Sequence, residues 1–175
     1  MAAYVFESVE RRLTPQMIRQ ISAFLDERPS STRKAIAVAL PELMAGLMER
    51  ASSARGAETL LNVIHRVGLG LDLDELSHGG GSYDHLHRAG RAVLTTIFGG
   101  RSGAVVARMA SESGLRVSSA AEMLEMLAPV ALAVIGREVV RHGLDEDGLV
   151  MLLADQQLQR ISEKMASSSA GFSRA

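Results

Sequence analysis

The chain has 175 residues, of which 47% are hydrophobic, so it is long and apolar enough for a domain with a buried core. A net charge of −1 argues against binding nucleic acid mainly through phosphate neutralisation, which needs a basic face. The absence of cysteine excludes disulfides, thiolate metal sites and a cysteine nucleophile. With no tryptophan, two tyrosines, four phenylalanines and nine methionines, the composition favours close helix packing over a β-sandwich.

The first clear helix signal is "LTPQMIRQISAFLDERPSS". Thr14 is an N-cap residue type, and Pro15 stands at the first helical position, where its missing N–H costs nothing. Pro29 is predicted to end this helix, and Ser30 or Ser31 to cap the next one. The apolar residues that share one face at helical spacing are Met17, Ile18, Ile21, Phe24 and Leu25.

Two apolar segments each contain a proline: "KAIAVALPELMAGLMERA", residues 34–51, and "EMLEMLAPVALAVIGREV", residues 122–139. A proline inside a helix removes one hydrogen bond and clashes with the carbonyl four residues earlier. We therefore predict that Pro41 is the first residue of a new helix and forms a corner, with one kinked helix as the alternative. Segment 123–140 is apolar nearly all round, which predicts the most buried helix.

The second half of the chain repeats the plan of the first. Aligning Pro41 with Pro129 sets an offset of 88 residues and places the serines at 30–31 on those at 118–119. The helical periodicity and turn residues of the two halves agree with this alignment. The predicted fold is all-α, a multi-helical bundle of short helices built from two similar helix–corner–helix halves.

The predicted organisation has four parts. A first helical half covers residues 1–67, and a Gly- and His-rich linker covers 68–90, with a short helical turn at 72–77. The second helical half, residues 91–166, is expected to pack on the first. The small, polar tail at 167–175 is predicted to be disordered.

Three stretches behind the glycine-rich linker carry a family resemblance: "FGG" at 98–100, "GLRVSSAAEMLEMLAPVALAVIGREV" at 114–139 and "HGLDEDGLVMLLADQ" at 142–156. Together they resemble the YidB-like family of bacteria, described mainly as a domain of unknown function, most clearly over residues 92–156. The resemblance implies an all-α fold of packed short helices. Some members carry an additional peptidoglycan-binding domain of the OmpA type, which nothing in this sequence matches. The family supplies no catalytic residues to transfer.

Candidate metal ligands lie in and beside the linker: His78, Asp84, His85 and His87. Histidine and aspartate bind zinc and other transition metals. If residues 83–97 are helical, Asp84 and His87 share a face, whereas His85 points elsewhere. The spacing is not that of a structural metal site, so we favour a solvated linker and keep the metal site as a weak alternative.

The sequence has more apolar helical surface than a small bundle need bury. Core packing is the favoured interpretation for most of these positions, and the functional alternative is that one stripe forms an interface. The candidate interface residues are Met44, Leu47, Met48, Met123, Met126, Val139 and Val140.

These observations favour a non-enzymatic protein, with no cofactor, that acts by self-assembly or by binding another protein. One alternative is a DNA-binding regulator that uses the duplicated helix–turn–helix-like corners, although the charge makes nucleic acid an unfavoured partner. A second alternative is a metal-dependent enzyme at the His-rich linker. The longest uncharged apolar stretch, residues 126–136, is shorter than the ~20 residues of a membrane span. The start "MAAYVFESVERRLT" lacks the apolar stretch of a signal peptide, so we expect a cytoplasmic location.

Overall fold

The computed structural model describes residues 5–72 and 83–170, and all the regular structure in these two ranges is helical. A π-helical segment, Ile64–Gly68, continues the fourth helix, and a 3-10 turn, Gly99–Arg101, joins the fifth helix to the sixth. The all-α prediction is therefore confirmed for the described part of the chain. The α-helices are α1 (Val5–Arg12), α2 (Pro15–Phe24), α3 (Pro29–Ala51), α4 (Ala54–Val63), α5 (Tyr83–Phe98), α6 (Ser102–Ser113), α7 (Val117–His142) and α8 (Glu146–Ala170).

Helix α7 forms the centre of the core. Every residue from Met123 to Val139 is buried except Glu125 and Arg137, which are half-buried. Helices α1, α3, α5 and α6 and the π-helical segment all contact it. A helix that is covered on all sides needs apolar residues on all sides, so the prediction that 123–140 is the most buried segment is confirmed up to Val139.

Both internal prolines lie inside continuous helices. Helix α3 runs through Pro41 and helix α7 runs through Pro129, without a break in either. The prediction that Pro41 begins a new helix is wrong, and the kinked-helix alternative gives the correct connectivity. The physical reason is burial: Leu40 and Leu43 on either side of Pro41 are 2% and 1% exposed, and such packing outweighs the cost of about 3 kcal/mol for an interior proline.

The helix boundaries follow the cap chemistry in some places and not in others. The Thr14 hydroxyl accepts a hydrogen bond from the Met17 N–H at 3.2 Å, and Pro15 begins α2, as predicted. Pro29 begins α3 instead of ending α2, because its fixed φ suits a first helical turn. The chain reverses between the two helices through Asp26, whose φ of +51° lies in the left-handed region.

Some predicted irregular segments are helical. Residues 83–90, assigned to the linker, form the first two turns of α5, and residues 167–170, assigned to the tail, end α8. The predicted turn at 72–77 lies outside the described residues except for Asp72. The domain boundaries and the likeness of the two halves stay predictions. In the residues that the structure describes, no helix combines the length and the apolar character needed to cross a membrane.

Candidate interaction surface

The structure describes the side chains of two of the four candidate metal ligands, and these two differ in exposure. His85 is exposed on α5, and His87, two residues later, is half-buried. His78 and the side chain of Asp84 lie outside the described structure. Over residues 5–72 and 83–170, no group of three His, Asp or Glu side chains is arranged to hold a metal ion. The metal hypothesis therefore stays a prediction that depends on the undescribed positions.

His87 contacts a glutamate of the central helix. Its Nε2 atom lies 2.7 Å from Oε2 of Glu125, although the ring N–H does not point at that oxygen with hydrogen-bond geometry. Arg91, one turn later on α5, places Nε 3.3 Å from Oε1 of the same carboxylate. Glu125 is 16% exposed, so its charge needs partners of this kind. The arrangement therefore docks α5 on α7.

The described surface includes two shallow clefts, each smaller than the roughly 300–1,000 Å³ of typical small-molecule pockets. The first, about 230 Å³, lies beside the 3-10 turn and is crossed by an ion pair of 2.8 Å between Arg101 and Glu49. The second, about 170 Å³, lies between the N-terminal helices and is lined by Leu13, Ile18 and Ile36, among others. Neither cleft includes His87 or Glu125.

Most of the candidate interface residues belong to the core. Met44, Leu47, Met123, Met126 and Val139 are all buried, and Met48 is half-buried against them. Core packing, the favoured interpretation for most of these positions, accounts for all six. Val140 differs, because it is 59% exposed near the end of α7 and remains available for an intermolecular contact.

The large exposed apolar side chains are concentrated on helix α8. Met151 is 68% exposed, Leu158 66%, Ile161 50% and Met165 68%. Together with the half-buried Ala154, these residues form the outward face of α8. Sequence analysis missed this face because the surrounding segment, "ADQQLQRISEKMASSSA", is mostly polar. The spacing of its apolar residues at seven, three and four positions was the signal that could have revealed it.

Helix α8 is apolar on two opposite faces. Leu149, Leu152 and Leu153 are buried on one face, and the helix packs there against α3 and α4. On the same face, the Gln156 side chain accepts a hydrogen bond of 2.8 Å from the Val5 N–H, which ties α8 to α1. At about 100° of rotation per residue, the outward face lies roughly 180° away from this buried face. A helix held by one body needs only one apolar stripe, and α8 has a second one that no described part of the chain covers.

Glu27 and Arg116, which are far apart in sequence, form a contact that shifts the pKa values of both side chains. The Glu27 carboxylate accepts hydrogen bonds from the Arg116 backbone N–H at 3.1 Å and from its Nε at 3.0 Å. Partial burial raises the pKa of Glu27, but hydrogen bonds from Ser119 and Arg116 outweigh it, so the pKa lies below its ordinary value. The Glu27 hydrogen bond raises the pKa of Arg116. This contact joins the α2–α3 loop to the start of α7.

Comparison with known proteins gives a family but no activity. A family model described as "Bacterial protein of unknown function (DUF937)" matches residues 7–138. The YidB-like resemblance is consistent with that family. No curated protein and no solved structure matches the chain. Helix α8, with its outward face, begins after the matched residues.

Proposed function

Because the chain belongs to the DUF937 family of bacterial proteins of unknown function, its function has to be argued from its surface, and we propose that it is a non-enzymatic helical protein that acts by self-association. The contact is the outward face of α8. The single observation that carries the proposal is the exposure of four large apolar side chains on this face, while the opposite face of the helix is already buried. The four are Met151, Leu158, Ile161 and Met165.

The exposed apolar area of the outward face favours association. Full burial of a Leu, Ile or Met side chain contributes about 1.5–3 kcal/mol, and each of the four large side chains on this face is at least half exposed. The largest apolar patch of a typical monomer measures about 300–600 Å² and is often functional. Two of the four side chains are methionines, whose flexible thioethers adapt to a partner surface. Association through this face recovers free energy that the monomer leaves unused.

The distribution of charge supports protein association over nucleic-acid binding. Several arginines of the second half are paired with glutamates, so they do not form an unpaired basic patch of the kind that binds phosphates. These pairs are Arg101 with Glu49, Arg108 with Glu42, and Arg116 with Glu27.

The test is size-exclusion chromatography with light scattering over a wide range of protein concentration. We expect the wild-type mass to rise above the 18.7 kDa of one chain as the concentration increases. The double variant Leu158→Ser/Ile161→Ser should stay at the monomer mass, because it removes the middle of the outward face. Val140→Ser is the matched control, since it removes an exposed apolar side chain elsewhere and should leave association unchanged.

Circular dichroism of each variant checks that the helices remain folded. A wild-type chain that stays monomeric at every concentration would contradict self-association. Association that survives in the double variant but is lost in Val140→Ser would move the contact to the end of α7.

A further inference from the structure

We infer that the outward face of α8 is covered by α8 of a second copy running antiparallel, with Leu158 of one copy packed on Ile161 of the partner subunit. The inference rests on the proposed self-association and adds the occupant, the segment and the direction of pairing. It is carried by the spacing of the apolar residues, by their sizes, and by the position of the rest of the fold behind α8.

The spacing is that of a coiled-coil seam. The outward face consists of Met151, Ala154, Leu158, Ile161 and Met165, which follow one another at intervals of three, four, three and four residues. This alternation keeps a stripe facing a neighbouring helix over successive turns. In heptad terms, Leu158 occupies an a position and Ile161 a d position. The occupant that such a seam fits best is another helix with the same seam.

The sizes of the side chains on the outward face favour antiparallel over parallel pairing of the two α8 helices. In a parallel pair each residue faces its own copy, so Ala154 would meet Ala154 and form one thin layer between layers of larger side chains. In the antiparallel pair Ala154 meets Met165 of the partner subunit, and Leu158 meets Ile161 of the partner subunit, so each of these layers contains at least one large side chain.

The rest of the fold leaves room for this arrangement. The face of α8 that packs on α3 and α4 is opposite the outward face, so each body lies behind its own helix and away from the partner. The antiparallel pair has a twofold axis between the two helices, so the contact closes at two copies. The dipoles of the two helices also oppose each other in this arrangement.

The area sets the expected strength of the dimer. The four large side chains offer on the order of 100 Å² each, which gives roughly 800 Å² for both copies before flanking atoms are included. Stable interfaces bury about 1,200–2,000 Å². We therefore expect a dimer whose population depends strongly on concentration.

Disulfide cross-linking tests the pairing directly, because the natural chain contains no cysteine. The variants are Ala154→Cys and Met165→Cys, one of them carrying a mass tag, oxidised separately and as a mixture. In the antiparallel pair, positions 154 and 165 of different copies face each other. Two copies of position 165 are about 16 Å apart along the axis, well beyond the roughly 4.4–6.8 Å between the Cα atoms of a disulfide.

We expect a cross-linked dimer from the mixture, at least tenfold more abundant than from either variant alone. Glu112→Cys, at an exposed position on α6, measures cross-linking by random collision when it is mixed with Met165→Cys. Efficient cross-linking of Met165→Cys with itself would overturn the antiparallel pairing and leave self-association in place. A wild-type dimer with no cross-link in any combination would overturn the proposed pairing, whereas a strictly monomeric chain would remove the proposed function as well.

Discussion

Gly90 of α5 lies directly against the backbone carbonyl of Glu125 in α7. A Cβ atom at position 90 would overlap that carbonyl group and would stand 2.8 Å from the Cα atom of Glu125. The residues that hold the Glu125 carboxylate, His87 and Arg91, flank the same glycine on α5. Close backbone contact and charge pairing therefore occur at a single crossing of the two helices.

The proline of α7 is part of this crossing. In a regular helix the Glu125 carbonyl would accept a hydrogen bond from the N–H of residue 129, and Pro129 has no N–H to donate. The carbonyl that loses this bond is the one that Gly90 packs against. A glycine Cα–H donates weakly to a carbonyl oxygen, so the close approach partly compensates for the missing bond. We therefore expect the contact with Gly90 to help the segment 122–139 tolerate its proline.

The substitution Gly90→Ala should destabilise the fold. The added methyl group has to push α5 away from α7, and overpacking of this kind costs about 1–3 kcal/mol, which exceeds the gain of about 1 kcal/mol from helix propensity. Gly103→Ala in α6 is the matched control, because nothing lies within 4 Å of a Cβ at that position, and it should leave stability unchanged or raise it. Urea unfolding followed by circular dichroism measures both. Equal stability of the two variants would contradict the close contact at Gly90.

The second long-range contact predicts a dependence on pH. The pKa of the Glu27 carboxyl is lower in the folded chain than in the unfolded chain, where it is about 4.3. A lowered folded pKa means that the carboxylate stabilises the fold fully above the unfolded pKa. This contribution is lost as the pH falls through the lower folded pKa. Glu27→Gln should therefore be less stable than wild type at pH 7, and the difference should shrink below about pH 4.3.

Urea unfolding of wild type and Glu27→Gln at a series of pH values from 7 to 3 measures this effect. Glu112→Gln, at an exposed position of α6, controls for the loss of one negative charge from the surface. A difference between wild type and Glu27→Gln that stays constant over the whole series would show that the hydrogen bonds to Arg116 do not depend on the ionised carboxylate.

The fold class and the central helix were predictable because they depend on residues near each other in sequence. The run of apolar residues from Met123 to Val139 has no polar face, and such a helix has to be buried. The N-cap at Thr14 and the left-handed C-caps at Gly114 and Gly143 follow equally local rules.

The continuity of the helices through the prolines, and which apolar face of α8 is exposed, were not predictable in this way. Whether Pro41 and Pro129 break a helix depends on how well their neighbours are buried, which is a property of the tertiary packing. Met151 and Leu149 are equally apolar in sequence, yet one is 68% exposed and the other is fully buried. Only the position of α3 and α4 decides which face of α8 is covered.

The buried methionines should behave as core residues. Met123 is fully buried in α7, so Met123→Ala should lower the free energy of unfolding by about 2–5 kcal/mol through lost burial and a cavity. Val140→Ala, at a 59% exposed position of the same helix, should change it by no more than about 0.5 kcal/mol. Thermal or urea unfolding compares the two. A small effect of Met123→Ala would mean that the core of α7 is loosely packed.

A double-mutant cycle tests the link between Gly90 and Pro129. Pro129→Ala restores an N–H that can bond to the Glu125 carbonyl, which draws that carbonyl back into α7 and away from α5. Gly90→Ala should then cost less in the Pro129→Ala background than in wild type, with a coupling free energy of at least about 0.5 kcal/mol. The measurement is urea unfolding of the four proteins, with Gly103→Ala in place of Gly90→Ala as the control cycle. If the changes in the free energy of unfolding caused by Gly90→Ala and Pro129→Ala add within about 0.3 kcal/mol, the proline and the glycine are tolerated independently.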